Sequence, residues 1–191
     1  ESTLAEIERL KSLPYVEYAE PNYIMKPLFT PDDQYYSLQW HYPIIKLDRV
    51  LEEDLVNDVS SVIVAVIDTG IGRSNGTKTG QNHADLGNFV DEYDFISDTD
   101  ISLDGDGMDS DATDPGDDPN GQFSSFHGTH VTGTIAALTN NSTGVSGVAG
   151  GNYSGVKIMP LRALGAGGGT VYDISQAVLY AAGLSNASNA L

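Results

Sequence analysis

Two residues with complementary acid–base chemistry stand out by their settings. Asp68 ends the run Ser61-Val62-Ile63-Val64-Ala65-Val66-Ile67 and is followed by Thr69-Gly70. A carboxylate closing so apolar a run is costly unless it has a partner. His127 opens the string His127-Gly128-Thr129-His130, with a small residue beside each histidine. The two lie 59 positions apart, so only the fold can bring them together. If it does, the carboxylate fixes the imidazole tautomer and stabilises the imidazolium, the orienting half of a Ser-His-Asp machine. For an Asp on its own, a helix cap or a turn is the plainer reading.

The elements that must position these residues read as α/β. The run ending at Asp68 is short, nearly all apolar and β-branched, as expected of a strand buried on both faces of a parallel sheet. His127 to Leu138 has helical periodicity through Val131, Ile135 and Leu138. Val156 to Leu161 reads as a second strand, with Pro160 at odds with a central position. Asp173 to Ala182 reads as an amphipathic helix. Strands alternating with helices predict a mostly parallel sheet, and ligands of such sheets bind at the carboxyl ends of the strands, where Asp68 stands. Upstream, Leu4, Ile7 and Leu10 predict a helix ended by Pro14, the alternation Val16–Glu20 predicts a strand, and Lys26 to Tyr36 reads as an extended, exposed linker. A short helix is expected around Leu47–Leu55. No internal repeat is present.

The chain has 191 residues, 40% hydrophobic, enough for one ordinary domain with a sizeable core. Its 9 Lys+Arg against 27 Asp+Glu give a net charge of −18. So acidic a chain repels phosphate backbones and anionic lipid, which disfavours nucleic acid and membrane surfaces and favours cations as partners. No cysteine is present, which excludes disulfides, thiolate metal sites and a cysteine nucleophile. No apolar run approaches the roughly 20 residues of a membrane span. Five of the basic residues lie in the first fifty and none lies between Lys78 and Lys157, whereas Asp91 to Asp118 holds twelve acids. The shift divides the chain into a mixed-charge opening, an α/β body and an acidic insertion over 91–121. With no leader at Glu1 and no natural close at Leu191, the chain is expected to be a piece of a longer precursor.

Val66-Ile67-Asp68-Thr69-Gly70 followed by His127-Gly128-Thr129-His130-Val131-Thr132-Gly133-Thr134-Ile135-Ala136 resembles the subtilisin-like serine proteases, or subtilases, whose triad runs Asp, His, Ser. The resemblance covers Pro31 to the end and implies an incomplete subtilisin-like three-layer α/β fold. It implies Asp68 as triad aspartate and His127 as general base, with His130 structural, in a secreted endopeptidase acting as a monomer. Two rivals are weaker. The Asp-Thr-Gly triplet of aspartic proteases is needed twice, and a metal site on His127 and His130 lacks the zinc-protease glutamate. The family's nucleophile string Gly-Thr-Ser-Met-Ala and its oxyanion Asn are absent from these 191 residues, so the chain alone is expected to be inert. A non-catalytic calcium-binding module, or pseudoprotease, is the alternative.

The resemblance also implies Ca²⁺. Leu138 to Val145 is similar to the subtilase calcium loop, that of thermitase in particular. The implied ligands are the carbonyls of Leu138, Thr143 and Val145, the Asn141 side chain, and the carboxylates of Asp85 and Asp33. A second, weaker site in the insertion would draw on Asp94, Asp98, Asp100, Asp104, Asp106, Asp109 and Asp111. The spacing there approaches an EF-hand loop, but Gly107 and the lack of flanking helices exclude a true one. Gly165-Ala166-Gly167-Gly168-Gly169-Thr170 resembles the segment that pairs with an extended peptide substrate. There Gly165, Gly167, Gly168 and Gly169 would permit close backbone approach, and Leu164 would line a pocket. Residues 1–28, through Leu10 to Tyr23, resemble the end of an α+β propeptide that chaperones and inhibits the catalytic part, 29–191. Processing is expected between Lys26 and Thr30.

Overall fold

A computed structural model describes residues 2–21, 30–52, 62–74, 80–120, 123–150 and 155–188. Its centre is a three-stranded parallel sheet in the order β1 (Ile63–Asp68), β3 (Lys157–Arg162), β2 (Tyr93–Asp94). The register pairs Asp68 with Arg162 and Arg162 with Asp94. The carboxyl edge of the sheet is therefore a row of three charged residues, acid–base–acid.

Alternation along the strands sends side chains to opposite faces. Val66 and Ile158 pack with Ala136, Val131 and Ile135 of a helix over His127–Ala136. Ile67 and Leu161 pack with Ala177, Ile174 and Tyr180 of a helix over Val171–Ala181. The result is helix, sheet, helix: the three layers expected of the fold. Among the described residues β1 pairs on one side only, and Ile63 is 48% exposed at its start. Its apolar run is thus not buried on both faces along its whole length.

Pro160 sits inside β3 opposite Val66. Ile158 N–H donates to Asn88 O and Lys157 N–H to Val62 O, so even-numbered donors of β3 face β2. The donor Pro160 lacks would point there, between the Phe89–Ile158 bridge and the start of β2 at Tyr93. The ladder is already interrupted at that point, and this is why a proline is tolerated in the middle strand.

The remaining helices are α1 (Thr3–Lys11), α2 (His41–Ile45), α3 (Leu47–Glu52) and the single turn α4 (Thr99–Ser102); the two layer helices are α5 and α6. Ser2 caps α1 by accepting from Ala5 N–H at 3.3 Å. The expected strand at Val16–Glu20 does not form: among the described residues no ladder partner meets it, and Tyr15 and Tyr18 are exposed. The expected linker is extended and exposed only in part. Pro31 and Asp33 are buried, and Tyr35 N–H bonds Gly144 O at 2.8 Å. Gln39 then brackets Ser146 with two 2.9 Å bonds. The 26–29 part of the expected processing stretch lies outside the described residues, as do 53–55 of the third helix. No described helix is long and apolar enough to cross a membrane.

Gly128, in the first turn of α5, lets the helix meet the strand end. A Cβ there would lie 2.5 Å from Gly70 O and 3.0 Å from Gly70 N. Gly128→Ala is expected to cost about 1–3 kcal/mol despite alanine's better helix propensity, because rigid backbone must move. Denaturant unfolding reads the loss directly.

Candidate active site

The turn after β1 and the start of α5 face each other, and the short contacts between them are polar. His127 Nδ1 lies 2.8 Å from Asp68 Oδ1 and 2.9 Å from Oδ2. Asp68 is 8% exposed, whereas the His127 side chain is 64% exposed. With Nδ1 held by the carboxylate, Nε2 is the nitrogen available to a reacting group. The Asp68 hydrogen bond and charge, aided by Asp117, raise the His127 pKa above its ordinary 6.5. An imidazole held this way, at the carboxyl edge of a parallel sheet, can take a proton through Nε2 and be stabilised once charged.

Residues not anticipated from the sequence hold this pair. Thr69 N–H donates to Asp68 Oδ1 at 2.7 Å, and Thr69 Oγ1 accepts from Gly128 N–H at 3.0 Å. Thr69 Oγ1 in turn donates to Asp114 Oδ2 at 3.1 Å, and Ser124 Oγ donates to the same oxygen at 2.7 Å. Asp114 Oδ1 accepts from Gly116 N–H at 2.9 Å. Burial raises the Asp114 pKa, and the two hydroxyls oppose the rise. Ser125 bonds Asp117 through both its N–H and its hydroxyl. Ser124 and Ser125 are thus loop residues tied to carboxylates.

A model of the subtilase family matches residues 60–190. The chain belongs to the subtilase family. It is 38% identical over 188 residues to an extracellular protease of Xanthomonas campestris, covering 93% of this chain and 30% of that protein. It is 37% identical over 180 residues to a thermophilic serine proteinase of a Bacillus species, covering 93% and 37%. The solved structure of a protease from Pseudoalteromonas arctica superposes with a TM-score of 0.68 at 38% identity, covering 85% of this chain and 47% of that one. This subtilase chain therefore spans about a third of the length of these curated relatives.

Three of the implied calcium residues of the subtilase, Asp33, Asp85 and Asn141, meet at the loop after the helix. Asp33 and Asp85 are 5% and 1% exposed. Asp33 accepts from the N–H groups of Asn140 and Asn141 at 3.0 Å each, and Asp85 accepts from Val145 N–H at 2.8 Å. The loop takes the required turns through positive φ at Asn140, Ser142 and Gly144. At Gly144 a Cβ would lie 2.3 Å from Asp85 Oδ2, so only glycine admits the carboxylate. Burial raises the Asp85 pKa, and the charge of Asp33 adds to the rise. Two buried carboxylates beside an amide side chain and the backbone carbonyls of a loop are a donor set suited to a hard cation. Asn141 is turned the other way from a ligand: its Nδ2 faces Asp85 at 2.9 Å and its Oδ1 takes Thr143 N–H. Ligation through that oxygen requires the amide to turn over.

The acids of the insertion already have basic and backbone partners, and Asp106, Asp111 and Asp104 act on Asp109 through their charge. Asp94 and Asp104 both bond Arg162, whose second terminal nitrogen bonds Ser102 O. Burial pushes the Asp94 carboxyl upward and Arg162 pulls it back. Asp111 pairs with Arg73, Asp98 caps α4, Asp109 accepts from Asp111 N–H, and Asp100 and Asp106 are exposed. Among the described residues no three acidic or histidine side chains form a metal-holding group. Of the acids expected to form a second site, Asp94 is already paired with Arg162 and Asp111 with Arg73. Arg162→Met is expected to destabilise the protein by about 3–5 kcal/mol, because it strands a buried charge. Adding Asp94→Asn should recover much of the loss in the same unfolding experiment.

The glycine segment forms a closed turn. Gly165 N–H bonds Gly168 O at 2.8 Å and Gly168 N–H bonds Gly165 O at 3.0 Å. Gly167, Gly168 and Gly169 are exposed, and Leu164 is half-buried. Gly165 is buried; a Cβ there would lie 2.2 Å from Ile101 O, and Ala166 N–H bonds that same carbonyl at 2.9 Å. Gly165 therefore serves packing against the insertion and not an open surface.

Proposed function

We propose that this chain carries the acid–base half of a secreted, calcium-dependent serine endopeptidase. In this reading His127 Nε2 takes the proton of a serine hydroxyl supplied by the full-length protease, and Asp68 orients the ring and stabilises its charged form. The observation that carries the reading is the 2.8 Å contact between His127 Nδ1 and Asp68 at the carboxyl edge of the sheet, in a chain of the subtilase family. The string Gly-Thr-Ser-Met-Ala does not occur in the 191 residues, so these residues by themselves would be inert.

The substrate would be an extended peptide laid beside Gly167–Gly169, with Leu164 lining a hydrophobic pocket. Strand addition of this kind draws affinity from main-chain hydrogen bonds and specificity from pockets. Residues 1–28 would be the end of the propeptide, the first occupant of that cleft, and 29–191 the start of the catalytic part. The name of the Xanthomonas relative supports export. Asp33, Asp85, Asn141 and the carbonyls of Leu138, Thr143 and Val145 would hold Ca²⁺, which locks the loop following α5. The test is casein hydrolysis by the secreted full-length gene product. Activity abolished by a serine-directed fluorophosphonate and insensitive to an aspartic-protease inhibitor supports the reading. The reverse inhibitor pattern overturns it.

A further inference from the structure

We infer that Asp114, a carboxylate of the acidic insertion, is a positioning residue for the Asp68–His127 pair and acts through the hydroxyl of Thr69. The inference rests on the catalytic reading of that pair. Asp114 is 3% exposed and among the described residues meets no cation: its partners are Thr69 Oγ1, Ser124 Oγ and Gly116 N–H, all neutral donors. Burying a carboxylate among neutral groups is costly, and the fold gains a fixed hydrogen-bond polarity from it. An ionised carboxylate can only accept. Thr69 Oγ1 must therefore donate toward Asp114, which keeps its lone pairs turned to Gly128 N–H.

That one hydroxyl ties three pieces together. Thr69 follows Asp68 directly, and its own N–H holds Asp68 Oδ1 at 2.7 Å. Gly128 follows His127 directly. Asp114 is anchored from behind, because its N–H bonds Ile71 O at 2.9 Å while Ile71 N–H bonds Ala112 O at 2.8 Å. A second tie of the same kind runs from Gly72 N–H to Thr129 Oγ1 at 2.8 Å. The turn bearing Asp68 and the turn bearing His127 are thus clamped from one side by the insertion. The charged groups acting on the imidazole are Asp68 and Asp117. Asp114 works on geometry, by fixing where Asp68 and His127 stand relative to each other.

The experiment is proton NMR of the 191-residue chain, following the low-field Nδ1–H resonance of His127 and the pH titration of its ring. The variants are Thr69→Val, Thr69→Ser, Asp114→Asn and Ser124→Ala. Thr69→Val removes the hydroxyl, and Asp114→Asn replaces a carboxylate that can only accept by an amide that can also donate, both at nearly constant shape. Both are expected to weaken the low-field signal and move the His127 titration back toward ordinary histidine, and the double variant should go no further than either alone. Thr69→Ser keeps the hydroxyl and should keep the signal. Ser124→Ala removes the other donor to Asp114 and should also leave it in place. In the full-length protease the first two variants should lower kcat about 10-fold to 100-fold with little change in KM. A wild-type chain without the resonance sinks the catalytic reading of the pair and this inference with it. A wild-type resonance unchanged in Thr69→Val and Asp114→Asn overturns this inference alone. So does an equal loss in Ser124→Ala, which would show general loosening.

Discussion

Replacing Asp68 by Asn in the full-length protease is expected to lower kcat by about 10⁴-fold while KM changes little. The geometry gives the reason. His127 Nδ1 lies within 2.9 Å of both Asp68 oxygens, and Thr69 N–H already holds one of them. An amide in that place can turn its NH₂ to Nδ1, which forces the proton onto Nε2 and removes the base. The same substitution has a signature in pH. Asp68 raises the His127 pKa above 6.5, and His127 accepts a proton only when neutral. The acid limb of kcat/KM should therefore lie above pH 6.5 in the wild type and move to lower pH in Asp68→Asn. Stability follows with the opposite sense. A raised folded-state histidine stabilises the fold fully below 6.5 and loses that contribution as pH rises through its folded value. Steady-state kinetics across pH checks the first claim, and unchanged kcat in Asp68→Asn would remove Asp68 from the chemistry.

Calcium is expected to produce the largest change in stability. Asp33 and Asp85 are buried, and the charge of Asp33 makes that of Asp85 harder to keep. A divalent cation between them turns that repulsion into attraction. At a free concentration 1,000 times the dissociation constant, binding adds about 4 kcal/mol. For a chain of this size that corresponds to a rise in Tm of roughly 10 °C. Chelation should reverse the rise, and Asp85→Asn should abolish the response while leaving a folded chain in calcium-free buffer. Magnesium is the control, since it demands a smaller and more regular shell. Equal melting curves with calcium and with chelator would show that hydrogen bonds to the loop, and not a metal, satisfy these carboxylates.

The parts of this fold legible in the sequence are those with their own period. The run ending at Asp68 and the segment from His127 carry their apolar spacing openly, and both form where expected. Val16–Glu20 also alternates, but alternation makes a strand only if a partner is present, and none among the described residues meets it. Pro160 looked misplaced in a central strand because the sequence does not show that the neighbouring ladder is broken beside it. The candidate site was half legible. Asp68 and His127 carry side chains whose chemistry is visible singly, whereas Thr69 and Asp114 matter only through hydrogen bonds spanning 45 and 59 positions. Twelve acids in 28 residues need cations, and Arg73 and Arg162 stand on either side of them. Both arginines are nearly fully buried against those acids.

The central claim is that Asp68 and His127 serve a serine nucleophile. The most direct measurement is fluorophosphonate labelling of the full-length protein, with the modified residue located by mass spectrometry. Wild-type protein should take up one label per molecule on a serine, and His127→Ala should react slower by several orders of magnitude while remaining folded by circular dichroism. Labelling at the same rate in His127→Ala, or a folded wild-type protein that takes up no label, would contradict the account.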